Sequence, residues 1–379
     1  MIKLLKNRQT NRLFFKTNSN TRYLSTNAIC HMKKSFKSQL AIAWACLLLS
    51  SGCSKTTVNP SSAQDINTTV FNAAATRYVV TTLVEHISSP QGITIDAEGN
   101  LYVASSANGS IQQISPAGTV TAFPYVAIGN SLLGVPEGLA MDAQHNLYFT
   151  DVSAALVNRI SAAGIISRIA GGSQADKTGG GDLSQGFENP FGITLDKAGN
   201  LYVTDAGNAA IRKITPSGSV SNMIPAGPAN SGLIKPGTPF LQKPEGIAVD
   251  AKGNLYLTDV ANASVLKLSA SGLLTTIAGG QGMGFNDGPG SSAKFNKPMG
   301  IAIDVQGNLF VADAANAAIR RIDPAGEVTT IAGGKTIGFA DGVGTAAAFD
   351  SPEAIVIDAQ GNLYISDGCY GAIRKITIE

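Results

Sequence analysis

Six tandem copies of one short unit dominate this chain of 379 residues. Each copy opens on Pro, any residue, then a small residue: Pro90-Gln91-Gly92, Pro136-Glu137-Gly138, Pro190-Phe191-Gly192, Pro244-Glu245-Gly246, Pro298-Met299-Gly300 and Pro352-Glu353-Ala354. The prolines are separated by 46, 54, 54, 54 and 54 residues. A fixed period of this length marks a repeat architecture, whose units stack because none can bury its own faces alone.

Inside each copy an apolar run follows and ends in Asp: Asp96, Asp142, Asp196, Asp250, Asp304 and Asp358. A turn leads into Asn-Leu-Tyr or Asn-Leu-Phe, as at Asn100-Leu101-Tyr102 and Asn308-Leu309-Phe310. After a second turn comes a run such as Ile211-Arg212-Lys213-Ile214. Most copies then add Gly and a fourth run, as in Val328-Thr329-Thr330-Ile331-Ala332-Gly333. Four short strands between turn residues make one small antiparallel sheet. Tandem sheets of this size pack face to face around an axis, so the expected fold is all-β, a six-bladed β-propeller of four-stranded blades. The sixth copy stops after its third strand, Ile373 to Ile378. Ahead of the first copy, Tyr78-Val79-Val80-Thr81-Thr82-Leu83-Val84 has the fourth-strand pattern. This N-terminal strand is expected to complete the last blade and close the ring, covering edges that would invite aggregation.

The pattern Pro-x-Gly-Ile-Ala-x-Asp-x-x-Gly-Asn-Leu-Tyr-Val-x-Asp-x-x-Asn-x-x-Ile-Arg-Lys-Ile resembles the NHL repeat, and the resemblance covers about residues 76–379. Blades 1 and 2 depart from it: Ser105 replaces the second Asp in blade 1, and His145 replaces the Gly in blade 2. The Gly-His and Trp-Asp markers of WD40 blades are absent.

Upstream of the repeats the chain changes character. Residues 1–52 hold nine of the 28 basic residues and none of the 26 acidic ones. Residues 53–379 therefore carry 19 basic against 26 acidic residues, a net charge of −7. An acidic body disfavours nucleic acid, which needs a broad basic face. The single Trp, Trp44, also lies in this leader. From Met32 a basic start, an apolar stretch from Leu40 to Leu49 and Ser50-Ser51-Gly52-Cys53 follow in the order of an export signal. The apolar stretch is too short to span a bilayer. Small residues followed by Cys53 resemble the lipobox of bacterial lipoproteins, which implies that Cys53 is acylated and becomes the new N-terminus. Ser50 stands where such boxes more often have Leu. An ordinary secretory signal with an incidental cysteine is the alternative. Residues 1–31 have no role in such a signal, and translation starting at Met32 is the simplest reading. Residues 53–75 read as a flexible tether, rich in Ser, Thr, Asn and Ala. The organisation is then a leader over 1–52, a tether over 53–75 and a propeller over 76–379, tied to an envelope membrane only through a lipid. A chain starting at Cys53 keeps Cys369 as its only other cysteine, so no disulfide framework is expected.

The residue between Pro and Gly should sit near the mouth of the central channel. Around the ring it reads Gln91, Glu137, Phe191, Glu245, Met299 and Glu353. The glutamates fall in blades 2, 4 and 6, about 120° apart by sixfold geometry. Three carboxylates facing one axis repel unless solvated, protonated or bridged by a cation. Hard cations such as Ca²⁺ or Mg²⁺ prefer such oxygen ligands, which makes Glu137, Glu245 and Glu353 candidate metal ligands. Side chains lying apart in water, alternating by chance, are the alternative. The repeated Asp residues, and pairs such as Asp205 with Asn208 and Asp313 with Asn316, are expected to be turn formers, because a single site cannot use six copies. Of the Arg and Lys pairs at 212–213, 320–321 and 374–375, one member should pack between blades and the other meet solvent.

Two inter-blade loops match each other: Gly284-Phe285-Asn286-Asp287-Gly288-Pro289-Gly290 and Gly338-Phe339-Ala340-Asp341-Gly342-Val343-Gly344. They resemble long loops of bacterial and teneurin-type NHL propellers. Their Phe residues are expected to pin each loop to its blade. The loops share a face with the glutamates, so Phe285, Asp287, Phe339 and Asp341 mark the expected contact surface. Catalytic sets are mostly missing. NHL-fold amidating lyases use several histidines around zinc, and virginiamycin B lyase-like propellers also rely on histidine. Only His86 and His145 follow Cys53, so neither set can be built. The expected role is a rigid binding module for a protein or polymer partner. A metal-dependent hydrolase or lyase of gluconolactonase-like type at the channel mouth, and a structural module of an envelope complex, are the alternatives.

Overall fold

The computed structural model describes residues 3–6, 13–17, 20–23, 76–125, 133–172, 186–224 and 239–379. It divides into two units, Met1–Thr76 and Arg77–Glu379. In the first, strands Lys3–Lys6, Leu13–Thr17 and Asn20–Tyr23 form a three-stranded antiparallel sheet. The export signal, Cys53 and the tether lie outside the described residues. No described helix is long and apolar enough to cross a membrane.

The second unit is a six-bladed β-propeller. Blades 1 to 5 each run inner to outer in chain order, blade 3 for example as Pro190–Leu195, Leu201–Asp205, Ala210–Ile214 and Val220–Ile224. Blade 6 takes its three inner strands, Pro352–Ile357, Leu363–Asp367 and Ala372–Ile378, from the C-terminus. Its fourth strand is Tyr78–Val84, paired antiparallel from Ile373↔Val84 to Ile378↔Tyr78. The first and last strands of the unit thus join in one sheet. Blades 5 and 6 carry a fifth strand beyond the expected four: the inter-blade loops add Gly288–Pro289 to Glu327–Gly333, and Gly342–Val343 to Tyr78–Val84.

Each part of the repeat has a physical task. The first Asp accepts from the backbone N–H and side-chain amide of the Asn four residues on, as Asp196 does from Asn200 at 2.9 and 2.8 Å. The Tyr of Asn-Leu-Tyr donates to the same carboxylate, Tyr202 to Asp196 at 3.0 Å. Burial alone would raise Asp142, Asp196 and Asp250, but the bonds from their Asn partners outweigh it and hold these carboxyls below their usual range. In blade 2 His145 takes the turn's left-handed position at φ 59°, where the other blades place Gly.

The second Asp does more than form a turn. Asp259 accepts from the Ala261 and Asn262 N–H groups, and also from Gln242 and Lys243 N–H on the incoming inter-blade loop. It therefore fixes the chain just before the Pro of its own blade. Asp205, Asp313 and Asp367 additionally pair with the buried Arg of the third strand: Arg212 at 3.0 Å, Arg320 at 2.8 Å and Arg374 at 3.5 Å. Lys213 and Lys375, their strand neighbours, instead reach over the faces of Tyr202 and Tyr364. Cys369 is disulfide-bonded.

Glycine after Pro-x is required by the neighbouring blade. A Cβ on Gly192 would stand 2.2 Å from the Glu245 carbonyl oxygen, and one on Gly138 would stand 2.3 Å from that of Phe191. The inner strands meet backbone to backbone around the axis, and a methyl group there would force them apart. A hydroxyl seals the seam. Thr204 Oγ1 accepts from Gly192 N–H at 2.7 Å and donates to the Glu245 carbonyl at 2.8 Å. Thr150, Thr258 and Ser366 make the same bridge to Phe191, Met299 and Gln91.

Candidate functional site

Side chains alternate across a strand, so residues x and x+2 of Pro-x-Gly-x face the same way, toward the axis. The six inner strands accordingly line a small central cavity of about 80 Å³. Its upper ring is Gln91, Glu137, Phe191, Glu245, Met299 and Glu353. Below it lies a ring of Ile93, Leu139, Ile193, Ile247, Ile301 and Ile355, each 6–8% exposed. This aliphatic floor offers the carboxylates no hydrogen-bond donor from beneath.

The structure brings Glu137, Glu245 and Glu353 into one electrostatic cluster. Burial raises Glu137 to about 8, reinforced by the charges of Glu353 and Glu245. Burial also raises Glu353 to about 7, opposed by a hydrogen bond from Ser351 and supported by the charge of Glu245. That Ser351 Oγ donor lies 2.6 Å from Glu353 Oε1. Glu245 is 2% exposed, and its Oε1 meets Lys243 Nζ at 2.5 Å. Two buried oxygens, Glu137 Oε2 and Glu245 Oε2, have no hydrogen-bond partner.

These shifts set a pH dependence. A carboxyl raised above its unfolded value, 4.5, holds a proton in the fold that the unfolded chain releases. Its contribution is present at low pH and is lost as pH rises through the folded value. Glu137 and Glu353 face Glu245, Lys243, Lys297 and Asp367, and no buried lysine or arginine reverses the sign. In chelator-treated protein, Tm is therefore expected to fall by several degrees between about pH 5 and about pH 8.5. Glu137→Gln should flatten this slope and raise Tm at the alkaline end; thermal melts across the range check it.

The long loops fold back onto their blades. Arg320 lies between the rings of Phe285 and Phe295, 4.9 Å from each centroid. Arg374 is held in the same way by Phe339 at 4.6 Å and Phe349 at 5.0 Å. Asp287 accepts from Arg320 Nη2 at 2.6 Å and from Thr330 N–H and Oγ1. Asp341 accepts from Arg374 Nη2 at 2.9 Å and from Thr82 N–H and Oγ1. Burial would raise Asp341, but the Thr82 and Arg374 bonds outweigh it and lower the carboxyl. The two Asp residues thus bond to the blade while staying about half-exposed, and among the described residues the exposed apolar side chains of the inter-blade loops are Phe240, Met283, Phe285, Ile337 and Val343, 38–59% exposed. Phe339 also stacks on Tyr370, centroids 4.9 Å apart. Nothing in the sequence distinguishes the inward Asp from an outward one, because its Arg partner stands 33 residues away.

Two other features complete the surface. At the far ends of the inner strands an open cavity of about 910 Å³ spans blades 3 to 5, walled by the turns at Lys197, Lys252 and Gln306 with Tyr256 and Lys267. Between blades 1 and 2, exposed Glu98 and His145 come together with Asp96, the His145–Glu98 distance being 3.9 Å. Both Asp96 oxygens are already engaged by Asn100 and Tyr102.

No protein-family model matches the chain. NHL repeat-containing protein 2 of Gallus gallus is 34% identical over 110 residues, 29% of this chain and 15% of that protein. The matched stretches span only 12–23% of the curated relatives' own lengths. Among solved structures, an auxiliary nutrient binding protein from Bacteroides thetaiotaomicron superposes with a TM-score of 0.60 at 15% identity, over 80% of this chain and 77% of that one. A gluconolactonase from Xanthomonas campestris gives 0.57 at 15% identity, over 79% and 89%. The six repeats fold into the ring of a six-bladed β-propeller, and they are similar to those of NHL repeat-containing proteins.

Proposed function

We propose that the chain is an exported, lipid-anchored binding module whose loop-bearing face receives a protein or polymer partner. One observation carries the reading: Phe240, Met283, Phe285 and Ile337 are exposed apolar side chains on inter-blade loops, and two of those loops are locked by the Arg320 and Arg374 clasps. Apolar groups on immobile loops bind with little ordering cost. The export signal and Cys53 support an envelope location, and the nutrient-binding protein that shares the fold supports a binding role.

Affinity capture from a Gram-negative envelope extract in mild detergent tests the reading. Wild-type protein should retain a partner that a Phe240→Ser, Met283→Ser, Ile337→Ser triple variant loses. Equal retention by both proteins, or none by either, overturns it. Cys53→Ser should move the protein from the membrane to the soluble fraction. The channel glutamates favour the competing hydrolase reading, which turnover of an aliphatic lactone by metal-loaded protein would establish.

A further inference from the structure

Two departures from the repeat meet at the rim between blades 1 and 2, on the side away from the inter-blade loops. The turn after the inner strand runs Asp-x-x-Gly-Asn in every blade but the second. Only blade 1 has a carboxylate two residues after that Asp, Glu98; the other blades have Gln144, Ala198, Lys252, Gln306 and Gln360. Only blade 2 replaces the Gly, with His145. The propeller brings these two side chains to 3.9 Å. With Asp96 they present one imidazole nitrogen and two carboxylate oxygens within 4.8 Å of one another. Both Asp96 oxygens accept hydrogen bonds, but acceptor capacity remains. Oδ2 takes the Asn100 amide and the Tyr102 hydroxyl, whereas Oδ1 takes the Asn100 N–H alone. In blades 2, 3, 4 and 6 the N–H two residues on also donates to Oδ1, from Gln144, Ala198, Lys252 and Gln360. A carboxylate oxygen has two lone pairs, so Asp96 Oδ1 keeps one to give.

We propose that Asp96, Glu98 and His145 form a site for one Zn²⁺ ion that staples blade 1 to blade 2. The proposal is independent of the partner-binding reading, which concerns the opposite face. An imidazole nitrogen beside carboxylate oxygens suits Zn²⁺, whereas Ca²⁺ and Mg²⁺ select oxygen alone. Ligands about 2.1 Å from a tetrahedral Zn²⁺ stand about 3.4 Å apart. Glu98 and His145 are exposed, so their side chains can rotate to close the difference. Water completes the shell. The seam at this place lacks a bond that its neighbours have. Ala104 stands where Thr150, Thr204, Thr258 and Ser366 carry the hydroxyl bridge to the next blade. Ala312 leaves the same gap between blades 5 and 6, but there Gly342–Val343 adds a strand to blade 6. An ion at the rim would supply blades 1 and 2 with the cross-link that Ala104 withholds.

The test uses the full chain, stripped with chelator, in calorimetry and thermal melts with ZnCl₂ and CaCl₂. Free thiols are alkylated first, so that cysteine does not compete for the ion. Zn²⁺ at about a hundredfold excess over Kd should raise Tm by about 5 °C. His145→Gly restores the residue of the other blades at a left-handed position, φ 59°. It should weaken Zn²⁺ binding about tenfold or more while the metal-free protein melts no lower than wild type. Glu98→Gln, the residue of blades 2, 5 and 6, should weaken binding in the same way. Absence of binding heat and of any Tm shift at submillimolar Zn²⁺ overturns the proposal. So does a His145→Gly variant that keeps the full shift, or Ca²⁺ binding that depends on His145 as strongly as Zn²⁺ binding does.

Discussion

Removal of residues 76–86 is expected to abolish cooperative folding of the propeller. Strand Tyr78–Val84 supplies the entire outer ladder of blade 6 through its pairing with Ala372–Ile378. Val80 is 1% exposed and packs in a cluster with Phe310, Ile319, Phe349, Ile365 and Ile376, which belong to blades 5 and 6. Burial of Val and its neighbours contributes about 1.5–3 kcal/mol per side chain, and each ladder hydrogen bond about 0.5–1.5 kcal/mol. Thr82 adds a third loss, because its N–H and hydroxyl hold the Asp341 that holds Arg374. Together these approach the 5–15 kcal/mol that stabilises a typical domain. The freed edge of Ala372–Ile378 would also present unpaired backbone groups to other molecules. Circular dichroism melts and size-exclusion chromatography check this: the truncated chain should lose its cooperative transition and aggregate. An unchanged Tm would show that the closing strand is dispensable.

Arg320→Ala should cost about 3–5 kcal/mol. Arg320 and Asp313 are both fully buried, and their 2.8 Å contact has no solvent to fall back on. Burial pushes the Asp313 carboxyl up even with the Arg present, so its charge depends on that partner. Truncation would also empty the slot between Phe285 and Phe295 and release Asp287 with the loop it anchors. Asp287→Asn should cost far less, about 1 kcal/mol, because Asp287 is half-exposed and the amide oxygen keeps one of its two accepted bonds from Thr330. Urea titrations of the two variants separate these effects. A loss below about 1 kcal/mol for Arg320→Ala would mean that the aromatic pair and nearby water replace the guanidinium.

The clasp shows how far a sequence can be read without its fold. The match between the loops at 284–290 and 338–344 is plain in the sequence, and so is the placing of a Phe and an Asp in each. Their surface position was the expectation for all four residues. In the structure Asp287 and Asp341, each about half-exposed, also bind buried arginines, and Phe285 and Phe339 cover the guanidinium faces as the expected pins of the loops. The Arg and Asp partners lie 33 residues apart, on either side of two strands. No local signal reports such a distance.

Strand order within a blade and blade number are local matters, set by alternation of apolar residues, by turn formers and by the repeat length, while closure between Tyr78–Val84 and Ala372–Ile378 was read from a fourth-strand pattern recurring at the other end of the repeats. Such signals lie within a few residues of what they specify, so the amino-acid order alone determined a closed six-bladed ring. The alternation of Glu137, Glu245 and Glu353 with Gln91, Phe191 and Met299 was legible for the same reason. Only tertiary structure decided what the ring does to them. Residues 46 or more apart in sequence meet around the axis, and the aliphatic ring below them offers no hydrogen-bond donor. Lys243 and Ser351 then satisfy some carboxylate oxygens and leave others bare. The same holds for the glycine after Pro-x: its place was visible in every repeat but the last, yet the carbonyl that forbids a side chain belongs to the next blade. Local chemistry wrote the blades, and contact between blades set the charge, dryness and rigidity of the axis.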